Sequence, residues 1–486
     1  MWLQLLLVGF VGLISYHNAF SAGFVFDDVV TVVGNPYLGN LEYLGYLLQA
    51  QPGRAIGYLT YFINFGQAGL NPFWYHAVNV IIHILNALVV YYFVYLLQRV
   101  TDSTRKAFSS NQFLPLVVAL LFVSHPIQTQ AVTYISQRFT ILAAFFYVSS
   151  LVFYLRSKLY PSRHLINIVI SYLLAICAFF TKEISFTLPF AISAIELCFF
   201  VRRPQVKKSF IKVLPFFVIS GFIFLLLYVF PATKGGIGKH IPLPTMVQGS
   251  SISRIEYART QFPVVATYVR LLFLPINQVV DYDFPIVKSV LENRFVISAF
   301  VIIALIIISL KAYNKNRFVS FGIFFFFIAL LVESSIIPIV DVIFEHRVYL
   351  PSVGFFIAVG SLYVHTLNRF RNKNFLRSGL MILFVFVLGI CSYTTFQRNF
   401  VWQNEYTLWS DAVVKSPRKA RVHYNLGVAA AEVGKWDQAE KELLRTIDLE
   451  PRYVKAYQNL SFIYEREGDK NKAIEFKKIV EGLTKK

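Results

Sequence analysis

Along this chain, mostly apolar runs of about 18 to 22 residues alternate with short connections that carry most of the charge. An α-helix of that length covers a hydrocarbon core of roughly 30 Å. Eleven such runs are predicted, near 2–20, 73–97, 113–125, 139–155, 165–181, 184–201, 213–230, 295–311, 318–338, 350–367 and 376–394. A bilayer leaves no water for unpaired backbone groups, so these segments must be helical, and the expected fold is all-α and polytopic. An odd number of spans places the two ends of the region on opposite sides.

Beyond residue 395 the apolar runs stop and a period of 34 appears: Pro417 recurs as Pro451, Asn425 as Asn459, Leu426 as Leu460, Gly434 as Gly468 and Ala439 as Ala473. This is the register of tetratricopeptide repeats, helix pairs stacked into an α-solenoid with small residues where the paired helices touch. The predicted organisation is a membrane domain over 1–395, a connecting segment over 396–419 containing a partial repeat helix at 405–415, and about two repeats over 420–486. Asn459-Leu460-Ser461 forms a glycosylation sequon, but it falls inside a predicted repeat helix.

Composition agrees with a membrane protein, at 56% hydrophobic, 17% aromatic and 15% charged residues. Arg99, Arg105 and Lys106 sit in one connection, and Arg156, Lys158 and Arg163 in a later one. Arg202, Arg203, Lys207, Lys208 and Lys212 follow, then Lys311, Lys315 and Arg317, and last Arg369, Arg371, Lys373 and Arg377. These fall on every second connection, which the positive-inside rule makes cytoplasmic. The net charge of +20 is thereby explained by orientation and by attraction to the lipid bilayer, so nucleic acid is not an expected partner. The first span lacks a basic leader and a small-residue cleavage site and is read as retained. Cys177, Cys198 and Cys391 all fall in predicted spans, and no disulfide framework is implied.

The complementary, outer connections hold the acids, and the most distinctive are Asp27 and Asp28, just past the first span. A partly desolvated carboxylate at that depth can take a proton from a hydroxyl as general base. The pair can equally cap a short helix or bind Arg54, and the residues alone leave both readings open. On the second span His76, Asn79, His83 and Asn86 fall within roughly 80° of arc at about 100° per residue. Polar groups there face the bundle, so interhelical hydrogen bonds are preferred over substrate contact or a zinc site, which lacks a third ligand. Glu333, near the outer end of its span, is expected to fix the loop bearing Glu345, His346 and Arg347. The outer segment 231–293 begins with a glycine-rich run, 234–239, which lacks the context of a nucleotide-binding loop and is read as a mobile flap. The stretch 254–274 is amphipathic and expected to lie at the interface.

An ordered set of motifs carries a resemblance. Phe26-Asp27-Asp28, Asn35-Pro36, Arg54, Asn71-Pro72-Phe73 and His76-x-x-Asn79-x-x-x-His83 come first. His125-Pro126-Ile127-Gln128-Thr129-Gln130-Ala131-Val132 through Arg138, Lys182-Glu183, Asp281-Tyr282-Asp283 and Arg347-Val348-Tyr349-Leu350-Pro351-Ser352 follow. With the trailing repeats, this succession resembles the transmembrane and tetratricopeptide repeat-containing O-mannosyltransferases over essentially the whole chain. That family looks like a branch of the GT-C glycosyltransferases, which take a sugar from a polyprenyl-phosphate carrier with inversion. The resemblance implies that the acidic pair is catalytic, with Asp27 as base and Asp28 holding or tuning it. Cations must then surround the leaving phosphate: Arg138 and Arg347 first, for their planar forks, then His346, Lys182 and Arg54. His76, His83, His125, Glu333 and Glu345 are supporting candidates.

The chain departs from the family where relatives often carry histidine and glutamate, at Gln128 and Gln130. A second carboxylate able to share a divalent metal is thus missing, and no cofactor is expected.

The reading is a membrane glycosyltransferase moving mannose or another hexose from a polyprenyl-phosphate-linked sugar to a protein Ser/Thr hydroxyl, its repeats either capturing the protein acceptor or serving as a packing or oligomerisation module. The rivals are a non-enzymatic scaffold whose repeats recruit partners, and a lipid-linked-sugar flippase or polymerase. The compartment leans to a bacterial inner membrane with periplasmic repeats, over an endoplasmic reticulum membrane with lumenal ones.

Overall fold

The computed structural model describes residues 1–104, 113–200, 206–229 and 252–484. Arg105, Lys106, Arg202, Arg203 and the glycine-rich run 234–239 lie outside the described residues. Among the described residues there is no strand. The helices are α1 (Trp2–Tyr16), α2 (Leu41–Ala50), α3 (Ala55–Ala68), α4 (Pro72–Thr104), α5 (Leu114–Ser124), α6 (Thr129–Val132) and α7 (Arg138–Leu159). Next come α8 (His164–Phe179), α9 (Leu188–Ile195), α10 (Val206–Phe224), α11 (Arg254–Phe273), α12 (Asn293–Lys315), α13 (Arg317–Leu330), α14 (Tyr349–Arg369) and α15 (Asn374–Val401). The helical-repeat region holds α16 (Glu405–Lys415), α17 (Ala420–Glu432), α18 (Trp436–Leu449), α19 (Val454–Glu467) and α20 (Lys470–Thr484).

Nine helical stretches among the described residues are long and apolar enough to cross a membrane, and α5 with α6 makes a tenth that bends by 52°. The bend follows from His125-Pro126: proline has no N–H to continue α5, and the His125 ring accepts the Ile127 N–H at 3.2 Å, starting a new turn. The remaining predicted segment, 318–338, is helical only over the 14 residues of α13. At about 1.5 Å per residue that falls short of a full core. Glu333, Ser334, Ser335 and Pro338 interrupt the apolar run, and the chain leaves the helix in turns. The protein is thus a polytopic membrane protein, all-helical among the described residues, in which α13 and the turns after it carry the chain from the Asn316 end to the Glu345 end without a span-length helix.

Side-chain contacts sort the connections onto two ends. At one end, Tyr313 donates to the Leu197 carbonyl at 2.8 Å, Arg317 to that of Cys198 at 2.5 Å, and Ser361 to Asn316 at 3.0 Å. At the other, Ser136 meets Asp28, the Gly23 N–H donates to the Gln403 carbonyl at 2.8 Å, and Gln278 donates to Glu345 at 2.8 Å. α13 packs closely on α14, where a Cβ on Gly322 would sit 2.4 Å from the Gly354 carbonyl oxygen, and the reverse holds equally. Only glycines allow two helix backbones to approach so closely.

The repeat region is two helix pairs preceded by a single helix. Gly434 and Gly468, one period apart, have φ of 79° and 87° and end α17 and α19 in the left-handed conformation that glycine adopts freely. Ala430, Ala439, Leu443, Ala456, Leu460 and Ala473 form its apolar seam. Ser461 of the sequon is buried and donates to the Ala473 carbonyl at 3.0 Å.

Candidate active site

The acidic pair lies in the turn that leads out of α1, and its two members have different surroundings. Asp28 is fully buried. The Ser136 N–H and hydroxyl both donate to its Oδ1 at 2.6 Å, and the Val25 N–H donates to Oδ2 at 3.2 Å. Burial pushes its carboxyl up to about 7 against those bonds. Asp27 is exposed, with its own N–H donating to the Tyr134 hydroxyl at 3.1 Å. Desolvation by the surrounding protein holds its carboxyl above the ordinary range, while the Tyr134 hydroxyl and the charges of Arg421 and Arg54 pull the other way. One carboxylate therefore fastens the loop to the 133–137 segment, and the other is presented.

The preceding residue, Phe26, has φ of 55°, a left-handed backbone that bulky side chains rarely adopt. Its ring packs edge-on to Trp409 at 5.3 Å and stacks with Tyr134 at 5.9 Å. Val25, Tyr134, Val279, Val280, Trp402, Leu408, Trp409, Val422 and Leu426 form one buried cluster, so the acidic loop and the first repeat helices share a core.

Three of the predicted cations, Lys182, Arg347 and Arg54, lie near enough to the buried His346 ring for their charges to act on it. Lys182 donates to Thr140 Oγ1 at 2.8 Å and pairs with Glu333 at 3.3 Å, and burial pulls its ammonium below the ordinary value. Arg54 lies 3.6 Å from Glu183. The Arg347 guanidinium donates to the main-chain carbonyls of Asp341, at 2.8 Å, and Val342, at 3.2 Å. Within this cluster His346 Nδ1 and Glu333 Oε2 are buried without a hydrogen-bond partner.

Arg138 departs from the sequence expectation. Adjacent to a span end, it turns inward and is fully buried. Its guanidinium donates to Asn79 Oδ1 at 2.8 Å, Asn64 Oδ1 at 2.9 Å, the Tyr75 carbonyl at 3.1 Å and the Thr60 carbonyl at 3.4 Å. The Tyr61 ring covers it at 4.4 Å. Every arm of the fork thus ties α3, α4 and α7 together.

The remaining candidates are packed between helices. His83 Nδ1 lies 2.8 Å from the Tyr349 hydroxyl and Nε2 3.2 Å from the Val123 carbonyl. Asn86 donates to the Ile141 carbonyl at 2.8 Å, and His125 Nε2 is 3.2 Å from that of Leu272. His76 is buried against the Ala22–Gly23 backbone. Glu345 accepts from Val279 N–H and the Tyr282 hydroxyl, each at 2.7 Å, and from Gln278. Gln130 takes the His346 N–H at 2.8 Å and donates to the Val280 carbonyl, and Gln128 donates to Ser352 at 2.9 Å. Among the described residues, no three His, Cys, Asp or Glu side chains converge as a metal cage would.

The repeat region contributes residues that the motifs did not single out. Arg421 makes a two-pronged pair with buried Asp281, both contacts at 2.7 Å, and reaches Asp341 at 2.5 Å. Lys419 also pairs with Asp281, and Arg418 with Asp283 at 3.1 Å. Although burial opposes ionisation, the bonds and charge of Arg421 keep the Asp281 carboxyl below its ordinary range. A cavity of about 320 Å³ opens beside this junction, lined by Tyr282, Asp283, Asp341, Arg418, Lys419 and Glu450. The Asp-Tyr-Asp motif was visible in the sequence; its basic partners, some 140 residues later, carried no local signal.

The chain is similar to curated proteins over nearly its whole length. It is 25% identical over 468 residues to the protein O-mannosyl-transferase F38B6.6 of Caenorhabditis elegans, covering 93% of this chain and 63% of that one. To the human protein O-mannosyl-transferase TMTC1 it is 26% identical, covering 92% and 55%, and to human TMTC3 24%, covering 93% and 52%. The chain thus spans about half to two-thirds the length of these curated relatives. No family model and no solved structure matches it. Over 92–93% of its length the chain is therefore similar to these protein O-mannosyl-transferases.

Proposed function

We propose that the chain is an inverting membrane glycosyltransferase that moves a hexose, mannose by analogy with the relatives' names, from a polyprenyl-phosphate carrier to a Ser/Thr hydroxyl of a protein. The observation that carries this reading is a presented carboxylate, Asp27, at one end of the bundle and within reach of the charge of Arg54, which with Lys182 and Arg347 acts on the buried His346 ring.

In the proposed step Asp27 accepts the proton of the acceptor hydroxyl as its oxygen attacks the anomeric carbon. The bond from that carbon to the phosphate oxygen breaks on the opposite face, and its electron pair leaves with the carrier phosphate. The cations offset the charge that develops there. Asp28 acts by holding the loop. The reading is metal-independent: both Asp28 oxygens already accept hydrogen bonds, and the amide of Gln130 is engaged with His346 and Val280. We place this end, with the repeats, on the face away from the cytoplasm, because the basic connections of the sequence lie at the other.

The test is Asp27→Asn in the full chain, reconstituted in nanodiscs with polyprenyl-phosphomannose and a Ser/Thr-containing peptide. Loss of a general base is expected to lower kcat by about 10²- to 10⁴-fold. Activity within a few-fold of the parent overturns the base assignment. Mass spectrometry of glycoproteins and of glycolipids from cells with and without the chain tests the acceptor; a glycan lost only from lipid refutes a protein acceptor.

A further inference from the structure

Glu405 opens α16, the helix that begins the repeat region, and its carboxylate reaches back to the acidic loop. Oε1 accepts the Phe26 N–H at 2.6 Å, and Oε2 accepts the indole N–H of Trp409 at 2.5 Å. Trp409 is itself buried and forms one wall for the Phe26 ring, while the Arg421 guanidinium lies 6.0 Å from that ring. The position of Glu405 is fixed in turn by a capping box, in which Asn404 and Thr407 bond each other's backbone N–H. One residue before Asp27, then, a left-handed backbone is clasped by a carboxylate from a helix 379 positions later in the chain.

A phenylalanine does not hold positive φ unaided; the surroundings must impose it. Tyr134 receives the next N–H, that of Asp27, so the two consecutive amides that set the direction of the Asp27 side chain are held by different parts of the protein. The Tyr134 contact comes from the membrane domain and the Glu405 contact from the repeat region. The Gly23 N–H, donated to the Gln403 carbonyl, adds a second tie on the same side.

We infer that Glu405 is a positioning residue for Asp27, so that the repeat region completes the active site as well as serving the acceptor. This inference rests on the assignment of Asp27 as base. It differs from a recruitment role in what it affects: a repeat array that only captures acceptor governs acceptor KM, whereas a latch on the base's loop governs kcat.

The experiment compares Glu405→Ala, Glu405→Gln and Asp27→Asn in the full chain in nanodiscs, with polyprenyl-phosphomannose and the same peptide. Amide hydrogen exchange is followed over the peptide covering 24–33. Loss of a hydrogen bond to a charged acceptor is expected to lower kcat in Glu405→Ala by roughly 10- to 100-fold, with acceptor KM within about twofold. Exchange at Phe26 and Asp27 is expected to rise while that of 420–484 stays as in the parent. Glu405→Gln should recover part of kcat, because an amide oxygen still accepts the Phe26 N–H while its NH₂ faces the Trp409 indole N–H, donor against donor. If Glu405→Ala does not fold, Glu405→Met serves in its place, since it keeps the length of the side chain and removes both carboxylate acceptors. A rise in acceptor KM with unchanged kcat, while Asp27→Asn is inactive, overturns the inference. If Asp27→Asn stays active the base assignment fails separately, and unchanged exchange at Phe26 in Glu405→Ala then disposes of the latch as well.

Discussion

Replacing Asp28 with asparagine separates two effects of the same buried group. The amide oxygen can take the place of Oδ1 and keep both Ser136 contacts, but the amide NH₂ then faces the Val25 N–H, donor against donor. One orphaned buried donor costs about 1–3 kcal/mol. The opposing effect depends on pH. A carboxyl that titrates at about 7 in the folded protein and near 3.9 when unfolded favours folding fully only while it is protonated in both states. Its contribution is present below pH ~4, declines as pH rises through 4 to 7, and above that leaves the folded state on the order of 4 kcal/mol less stable than the neutral group would. Asparagine cannot ionise and escapes this loss. Asp28→Asn should therefore unfold below the parent's temperature at pH 4 and above it at pH 8, the two curves crossing between. Trp402 and Trp409 lie in the same core as Val25, so tryptophan fluorescence during heating in nanodiscs reports on this region. A gap that keeps the same sign and size across pH 4 to 8 refutes the assignment of a buried, titrating carboxyl here.

Arg138→Lys should lower stability by about 2–4 kcal/mol, seen as earlier thermal unfolding, with donor KM nearly unchanged, because one ammonium cannot serve four acceptors on three helices. Lys182→Met should raise donor KM and also destabilise the protein by leaving Glu333 buried and unpaired; adding Glu333→Gln should restore the unfolding temperature but not donor KM. Gly322→Ala places a methyl 2.4 Å from the Gly354 carbonyl oxygen and 2.8 Å from the Ala358 nitrogen, both backbone atoms that cannot swing away, and should abolish accumulation of folded protein in the membrane. A normal yield and elution profile for that variant would contradict the close packing of α13 on α14.

What could be read from the sequence divides by the range of the interaction that writes it. Membrane helices are written by local hydropathy, so the apolar runs were found; α13 was overextended because an average over 318–338 hides Glu333 and Pro338. The repeat register is also local, two similar units side by side, and Gly434 and Gly468 recur because each unit needs a left-handed stop. The polar stripe on α4 could be read at helical spacing. Its partners could not: Asn79 meets Arg138, and His83 meets Tyr349, through helix packing that no window contains. Arg138 shows the same limit in another form, since closeness to a span end says nothing of which way a side chain turns. The clasp between Phe26 and Glu405, and that between Asp281 and Arg421, join positions more than a hundred residues apart.

The cage around Arg138 bears on how the chain is made. A guanidinium stays protonated, and one entering a bilayer alone is strongly disfavoured. Thr60, Asn64, Tyr75 and Asn79, which receive it, all precede it in the chain. Synthesis runs from the N-terminus, so when α7 leaves the ribosome the acceptors for its charge have already been made. Insertion of α7 is then a docking onto helices already in place rather than an independent partition into lipid, and the order of the helices in the gene becomes part of the folding instruction.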